Sequence, residues 1–376
     1  MQLKEVRARK IKDSRGEPTI EISIGKSTAS SPSGKSTGKY ETPSFRKSFD
    51  WNIKYLNKER FDIPINSFDD LKKLEFSIKK KLKLDDAKQF GANALFALEC
   101  AILKSLAAEQ KKELWQIINP RAKKFPLPVG NAVGGGLHSH NKEAPTFQEF
   151  LIIPQSKSPK QNFILMKNIH ANLKSKVKVG SKNDEGAWQT SLNNEEILEV
   201  LSKFKGIRIG IDAAASAFHK NSEYIYKNKT LNRQTQIHYI NALIKKYDLL
   251  YCEDPLDEED FMGFRKIKHS SNNLVVGDDL TATHISRLKK AIRLKAINAM
   301  IVKPNQNGSL VELKEVMAVC KKNNIETIIS HRSGETMDNA LADLAFGFGA
   351  DFIKCGIATK WREAKLKRLI EIEKTI

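Results

Sequence analysis

No stretch of this chain is apolar for long enough to cross a bilayer, which takes roughly 18 consecutive apolar residues. Cysteine is scarce too. The four present, Cys100, Cys252, Cys320 and Cys355, lie far apart with no CxxC pair. That spacing excludes a zinc ribbon and a secreted disulfide scaffold, and each thiol reads as a small core hydrophobe. Negative charge is in short supply: 44 Asp and Glu face 64 Lys and Arg, a formal charge of +20. Met1 to Lys12 carries no apolar signal-peptide core, so a soluble cytoplasmic protein is expected. Aromatics are not interleaved with the lysines, and no nucleic-acid-binding motif occurs. Basic runs such as Lys79-Lys80-Lys81 and Lys123-Lys124 therefore read as solvated surface. The positive field would still draw in anions, phosphorylated substrates and nucleic acid among them, in a salt-dependent way.

What is present suffices for one large barrel and a smaller domain: 376 residues, 40% of them hydrophobic. Val6, Ala8 and Ile11 lead to a turn at Asp13-Ser14-Arg15-Gly16, and Thr19, Ile20 and Ile22 follow, which predicts a hairpin. Residues 29–45, rich in Ser, Thr, Gly and Pro, read as a long loop. Leu71, Leu74, Ile78 and Leu82 recur at helical spacing with Ser67 as N-cap, and residues 92–108 form a strongly apolar helix. Pro126 and Pro128 mark a boundary. Residues 1–125 read as an α+β domain and residues 126–376 as a barrel domain.

In the second part β-rich runs alternate with amphipathic helices, the signature of βα units and a parallel sheet. The runs end in Asp212, Glu253, Asp278, Lys303, His331 and Lys354, at steps of 41, 25, 25, 28 and 23 residues. That cadence suits a strand, a helix and two loops per unit. Ser309 and Glu312 form a capping box for one such helix. Strands with polar C-terminal ends describe the catalytic face of a (β/α)8-type barrel. No glycine-rich phosphate fingerprint follows them, as the rival doubly wound sheet would require.

Asp212, Glu253 and Asp278 would converge at the mouth, where close carboxylates need a compensating cation. All-oxygen donors favour a hard ion such as Mg²⁺. A lysine at its ordinary pKa of about 10.4 is a poor base. Beside a metal and a second ammonium, Lys303 or Lys354 is expected to supply a neutral amine. His331, Arg332 and Ser333 surround Gly334, which lets the backbone approach an anion, and arginine grips phosphate or carboxylate in bidentate fashion. Together these point to proton abstraction next to a carboxylate. A lysine or histidine base with Mg²⁺ is the established pattern of the enolase superfamily, and these residues match it.

Nearly the whole chain resembles enolase. "ARKIKDSRGEPTIEI" (8–22), "PSGKSTGKYE" (32–41) and "FGANALFALECAILKSLA" (90–107) are similar to its opening strands, active-site loop and long helix. "GGLHS", "QEFLIIP", "NDEGAW", "IDAAAS", "EDPLDEEDF", "GDDLTATH", "KPNQNGSL", "SHRSGET" and "IKCG" follow in family order. The resemblance implies dehydration of 2-phosphoglycerate to phosphoenolpyruvate, in glycolysis and gluconeogenesis, by a homodimer or higher homo-oligomer. Two Mg²⁺ are implied, one on Asp212, Glu253 and Asp278, the second on Ser36 with substrate. Lys303 would take the C2 proton. Glu185, with Glu149, would protonate the departing C3 hydroxyl. Arg332 and Ser333 would bind phosphate and Lys354 the carboxylate side, with His331 and His138 (or His140, two residues on) lining the pocket. Departures from the family pattern are Gly134, Ala217, Pro304 and the segment "TKWRE" (359–363).

Two rival readings compete with this one. Ala29 through Ser36 fits a loose Walker A loop, but Gly38 and Pro43 oppose the helix that a P-loop needs at Lys35-Ser36. The other is a basic homologue of little or no activity kept as a nucleic-acid- or protein-binding module, which would have no use for Lys303 and Glu185 together.

Overall fold

The computed structural model describes every residue except 36–38, 140, 142, 178–180 and 271, and the side chain of His138. The predicted hairpin is present: Arg7–Lys12 pairs antiparallel with Pro18–Ile24, and Ser27–Ser30 adds a third strand. That last strand runs two residues, 29 and 30, into the stretch read as loop. Helix Ala92–Glu109 is buried nearly all round and packs on this sheet, as an apolar helix without a polar face must. Helix Leu71–Leu82 starts one 3₁₀ turn after Ser67, whose N–H is donated to the Asp70 carboxylate (3.0 Å). Helices Phe49–Lys58 and Leu114–Ile118 were not anticipated.

The barrel strands are Leu127–Gly134, Glu149–Pro154, Ile207–Asp212, Tyr251–Glu253, Leu274–Gly277, Ala299–Val302, Glu326–Ser330 and Phe352–Lys354. They pair in that order, and the last closes on the first. One feature departs from the all-parallel expectation. The second strand runs antiparallel to both neighbours. An antiparallel pair needs no helical crossover, so residues 135–148 link the first two strands without a long helix. This reversal brings Glu149, the first residue of its strand, to the barrel mouth opposite Asp212.

Side chains alternate along a strand. Tyr251, Val276, Ala299, Ile301, Ile328 and Phe352 fill the barrel interior, while Cys252, Val275, Met300, Val302 and Ile329 join the layer under the helices. Counting on by two from the inward residues reaches Glu253, Asp278, Lys303 and Lys354. Counting back by two from inward Leu151 reaches Glu149. The pleat thus aims the chargeable residues into the mouth.

The capping box is half formed. Ser309 Oγ accepts the Glu312 N–H (2.9 Å), but Asn307 Oδ1 takes the Ser309 N–H (3.0 Å) and Glu312 turns to Lys88. Residues 31–35 form no helix: Ser33 bridges to Gly334, against the P-loop reading. Ser36 itself lies outside the described residues.

Candidate active site

At the mouth, Lys354 Nζ is buried among carboxylates, 2.8 Å from Glu253, 3.0 Å from Asp212 and 2.9 Å from Glu149. Burial works against its charge, but Asp212, Glu149 and Glu253 outweigh burial and push its pKa well up. Burial pushes the Glu253 carboxyl up, and Asp212 adds to it. Burial likewise raises Glu149. Tyr251 donates its hydroxyl to Glu253 (2.5 Å) from two residues below.

Lys303 donates to Asp278 Oδ2. Burial opposes the ammonium, yet Asp278 carries the pKa above its usual value. With Asp278 as its immediate partner the Lys303 ammonium is favoured; the neutral amine is expected only with a metal on Asp278. Asp278 Oδ1 is buried and has no hydrogen-bond partner among the described residues. Oxygens of Asp254, Asp278 and Asp279 lie within 4.8 Å of one another. Asp254 accepts the N–H groups of Asp278 (3.0 Å) and Asp279 (2.7 Å), which fixes the turn that presents Asp278.

The 331–334 loop forms one wall. Arg332 Nη2 donates to both Glu41 oxygens (3.0 and 2.8 Å), and Nη1 reaches Asn305 (3.4 Å). Ser333 Oγ accepts the Lys35 N–H (2.7 Å). A Cβ on Gly334 would stand 1.9 Å from Asp13 Oδ2, so only glycine lets the hairpin turn meet this loop. Glu185 rides a tight turn in which Asn183 Oδ1 accepts the N–H groups of Glu185 and Ala187 (3.0 Å each). Asn131 Nδ2 donates to Glu185 Oε2 (3.3 Å), and His331 Nε2 lies 3.9 Å from that oxygen. Burial drives the His331 pKa well down.

Glu149, Glu185, Asp212, Asp278, Lys303, His331, Arg332, Ser333 and Lys354 thus border one cavity of about 310 Å³, with Glu253 just beneath. Ser36 and His140 fall outside the described residues. His138 ends the short turn Gly136–His138, and its side chain likewise falls outside the described part. Sequence reasoning passed over Asp254 and Asp279, although the doubled acids in "EDP" and "GDD" signal them. It also missed Glu41 and Arg362, for which no local signal exists.

A closed barrel with carboxylates, lysines and an Arg-Ser loop at its mouth, capped by an α+β domain, defines a TIM-barrel protein with an acid–base site at its mouth. The family model described as the enolase C-terminal TIM barrel domain matches residues 122–376, and that of the enolase N-terminal domain matches residues 3–118. Among curated proteins, the chain is 36% identical to the enolase of Methanocorpusculum labreanum over 99% of both chains. It is 34% identical to that of Methanosphaera stadtmanae (100% of this chain, 97% of the relative) and 33% identical to that of Thermoplasma acidophilum (100% and 99%). The chain belongs to the enolase family, and its activity class is phosphopyruvate hydratase, a carbon–oxygen lyase. Among the described residues no helix is long and apolar enough to cross a membrane.

Proposed function

We propose that this chain performs the Mg²⁺-dependent dehydration of 2-phosphoglycerate to phosphoenolpyruvate, the step shared by glycolysis and gluconeogenesis, with Lys303 as base. The observation that carries the reading is Lys303 aimed inward beside Asp278, in one cavity with Glu185 and Arg332. Asp212, Glu253 and Asp278 would hold Mg²⁺. They fit it: the donors are all oxygens, Asp278 Oδ1 is buried with no described partner, and the Lys354 ammonium drawn between Asp212 and Glu253 reflects their need of counter-charge. Bound there, the ion would supply fixed positive charge next to the substrate carboxylate, where negative charge builds as the C2 proton leaves. A second Mg²⁺ would arrive with substrate at Ser36.

In this reading Lys303, which would lose the partner that holds its charge once Asp278 is engaged by the ion, takes the C2 proton at Nζ as a neutral amine, and the C3 hydroxyl leaves as water with a proton from Glu185. Glu149 supports that acid. Arg332 and Ser333 grip the phosphate, which takes over part of the guanidinium now held by Glu41. Lys354 faces the carboxylate, and His331 with His138 lines the pocket. Each general acid or base step contributes about 10²–10⁴-fold. The reading carries a homodimer or higher homo-oligomer as well, which light scattering tests. The functional test follows phosphoenolpyruvate formation by ultraviolet absorbance, with and without Mg²⁺. The wild type is expected to turn over only with the ion. Lys303→Ala should lose at least about 10³-fold in kcat, while exposed Lys295→Ala keeps it. A folded wild type that makes no product with Mg²⁺ present overturns the proposal.

A further inference from the structure

The segment 359–363, one of the departures from the family pattern, holds the largest fully buried side chain of the described residues, Arg362 at 0% exposure. A buried guanidinium must spend its donors, and this one spends all of them on the active-site loops and its own helix start. Nε donates to His331 Nδ1 (3.1 Å). Nη2 donates to the carbonyls of Arg332 (3.3 Å) and Ser333 (3.0 Å). Nη1 donates to the Asp184 carbonyl (3.4 Å) and to Thr359 Oγ1 (3.3 Å), and Nη2 stands 3.9 Å from Glu185 Oε1.

One turn further along the same helix (Lys360–Glu373), Lys365 is also buried (1%). It donates to the Thr336 carbonyl (2.6 Å) and lies 2.6 Å from Glu335, whose other oxygen accepts the Arg332 N–H (3.0 Å). Two cations on one helix face therefore brace residues 331–336. Space for the first is reserved by Gly356 at φ +72°, where a Cβ would stand 2.5 Å from Arg362 Cδ.

We infer that Arg362 is a positioning residue of this active site: it fixes His331 as the neutral Nε2–H tautomer and ties the Arg332-Ser333 loop and the Glu185 turn to the C-terminal helix. Its kinetic consequences rest on the proposed dehydratase reading; the tautomer does not. Arginine only donates, so Nδ1 must accept and the ring proton sits on Nε2, the nitrogen that faces Glu185. The charged groups acting on the ring are Glu185, Arg362, Lys354 and Lys303. Burial and the three cations outweigh Glu185, so the ring stays uncharged. Lysine would return a point charge without the fork that reaches several carbonyls at once.

The test is ¹⁵N NMR of the histidine-labelled protein, with the His331 signal assigned by its loss in His331→Asn. The wild type should show an acceptor-type Nδ1 and a protonated Nε2 throughout pH 6–8. In Arg362→Met the tautomer should become mixed or the ring should titrate. kcat should fall about 10²-fold, as for a misplaced catalytic geometry, with a new ionisation in the pH profile of kcat and a smaller change in KM. Arg362→Lys should not restore the tautomer. An Nδ1–H or cationic ring in the wild type overturns the inference, as does a folded Arg362→Met with unchanged tautomer and kcat. If that variant does not fold, the wild-type spectrum decides alone. A wild type inactive on 2-phosphoglycerate defeats the functional reading and leaves the NMR result to rule on this one.

Discussion

At the scale of single residues, buried charge is what sets this protein apart from a plain barrel. Each buried ion is costly unless paired, and here the pairs are concentrated where chemistry is proposed: Lys354 with three carboxylates, Lys303 with Asp278, Arg332 with Glu41. Glu99 is a buried acid away from the site. Glu99 contacts Glu75 beneath the barrel helix Leu310–Lys322, where it accepts the Leu310 N–H (2.6 Å). Burial, then Glu75, raises its pKa well above the ordinary carboxylate value. A carboxyl with a raised folded pKa favours the fold at low pH and loses that contribution as pH climbs beyond the unfolded value near 4.5. Glu99→Gln should therefore melt higher than the wild type at pH 8 and no higher at pH 4. Equal melting points at pH 8 would count against a protonated Glu99.

At the scale of elements, the legible part of the sequence was whatever repeats. Alternation along a strand and a cadence of about 25 residues identify the strands that end in Glu253, Asp278 and Lys303. The pleat then fixes which way those residues point. What repeats nowhere was not legible. Nothing in residues 127–154 announces that the second barrel strand runs backwards, because an antiparallel pair differs from a parallel one in its connection and not in its pattern. The turn that carries Glu185 also depends on packing. His170, on helix Pro159–Lys176, stacks on Trp188 at 5.0 Å and donates Nε2–H to the Gly186 carbonyl (2.9 Å). Burial lowers the His170 pKa from 6.5 to about 4. The unfolded chain binds that proton first, so stability should decline as pH falls from about 6.5 to 4. His170→Gln, which keeps a donor for Gly186, should flatten that stretch of the denaturation profile. An unchanged slope would assign the decline to another group.

At the scale of the whole molecule, the site is assembled from both parts of the chain. Glu41 meets Arg332 across 291 residues of sequence, a contact that no local pattern encodes. A second long-range tie is Arg368 of the C-terminal helix, paired with buried Asp343 (2.9 Å) and with Glu113, while Asp343 also accepts the Trp115 N–H (3.3 Å). Arg368→Ala strands a buried carboxylate and should cost about 3 kcal/mol in denaturant unfolding. A loss under about 1 kcal/mol would mean the pair acts as an exposed one. The formal charge of +20 acts over a longer range. If the lysines form a solvated surface, retention on a polyanion resin should vanish steeply between about 50 and 200 mM salt, and binding that persists above that range would point to a dedicated site.

The central claim is that Lys303 breaks the C2–H bond and Glu185 serves the later departure of the C3 hydroxyl as water. Exchange of the C2 hydrogen of 2-phosphoglycerate with deuterated solvent, followed by NMR with Mg²⁺ present, separates the two. The account predicts exchange by the wild type, none by Lys303→Ala, and exchange without appreciable phosphoenolpyruvate by Glu185→Gln. Exchange that survives loss of the lysine, or disappears only with loss of the glutamate, would contradict it.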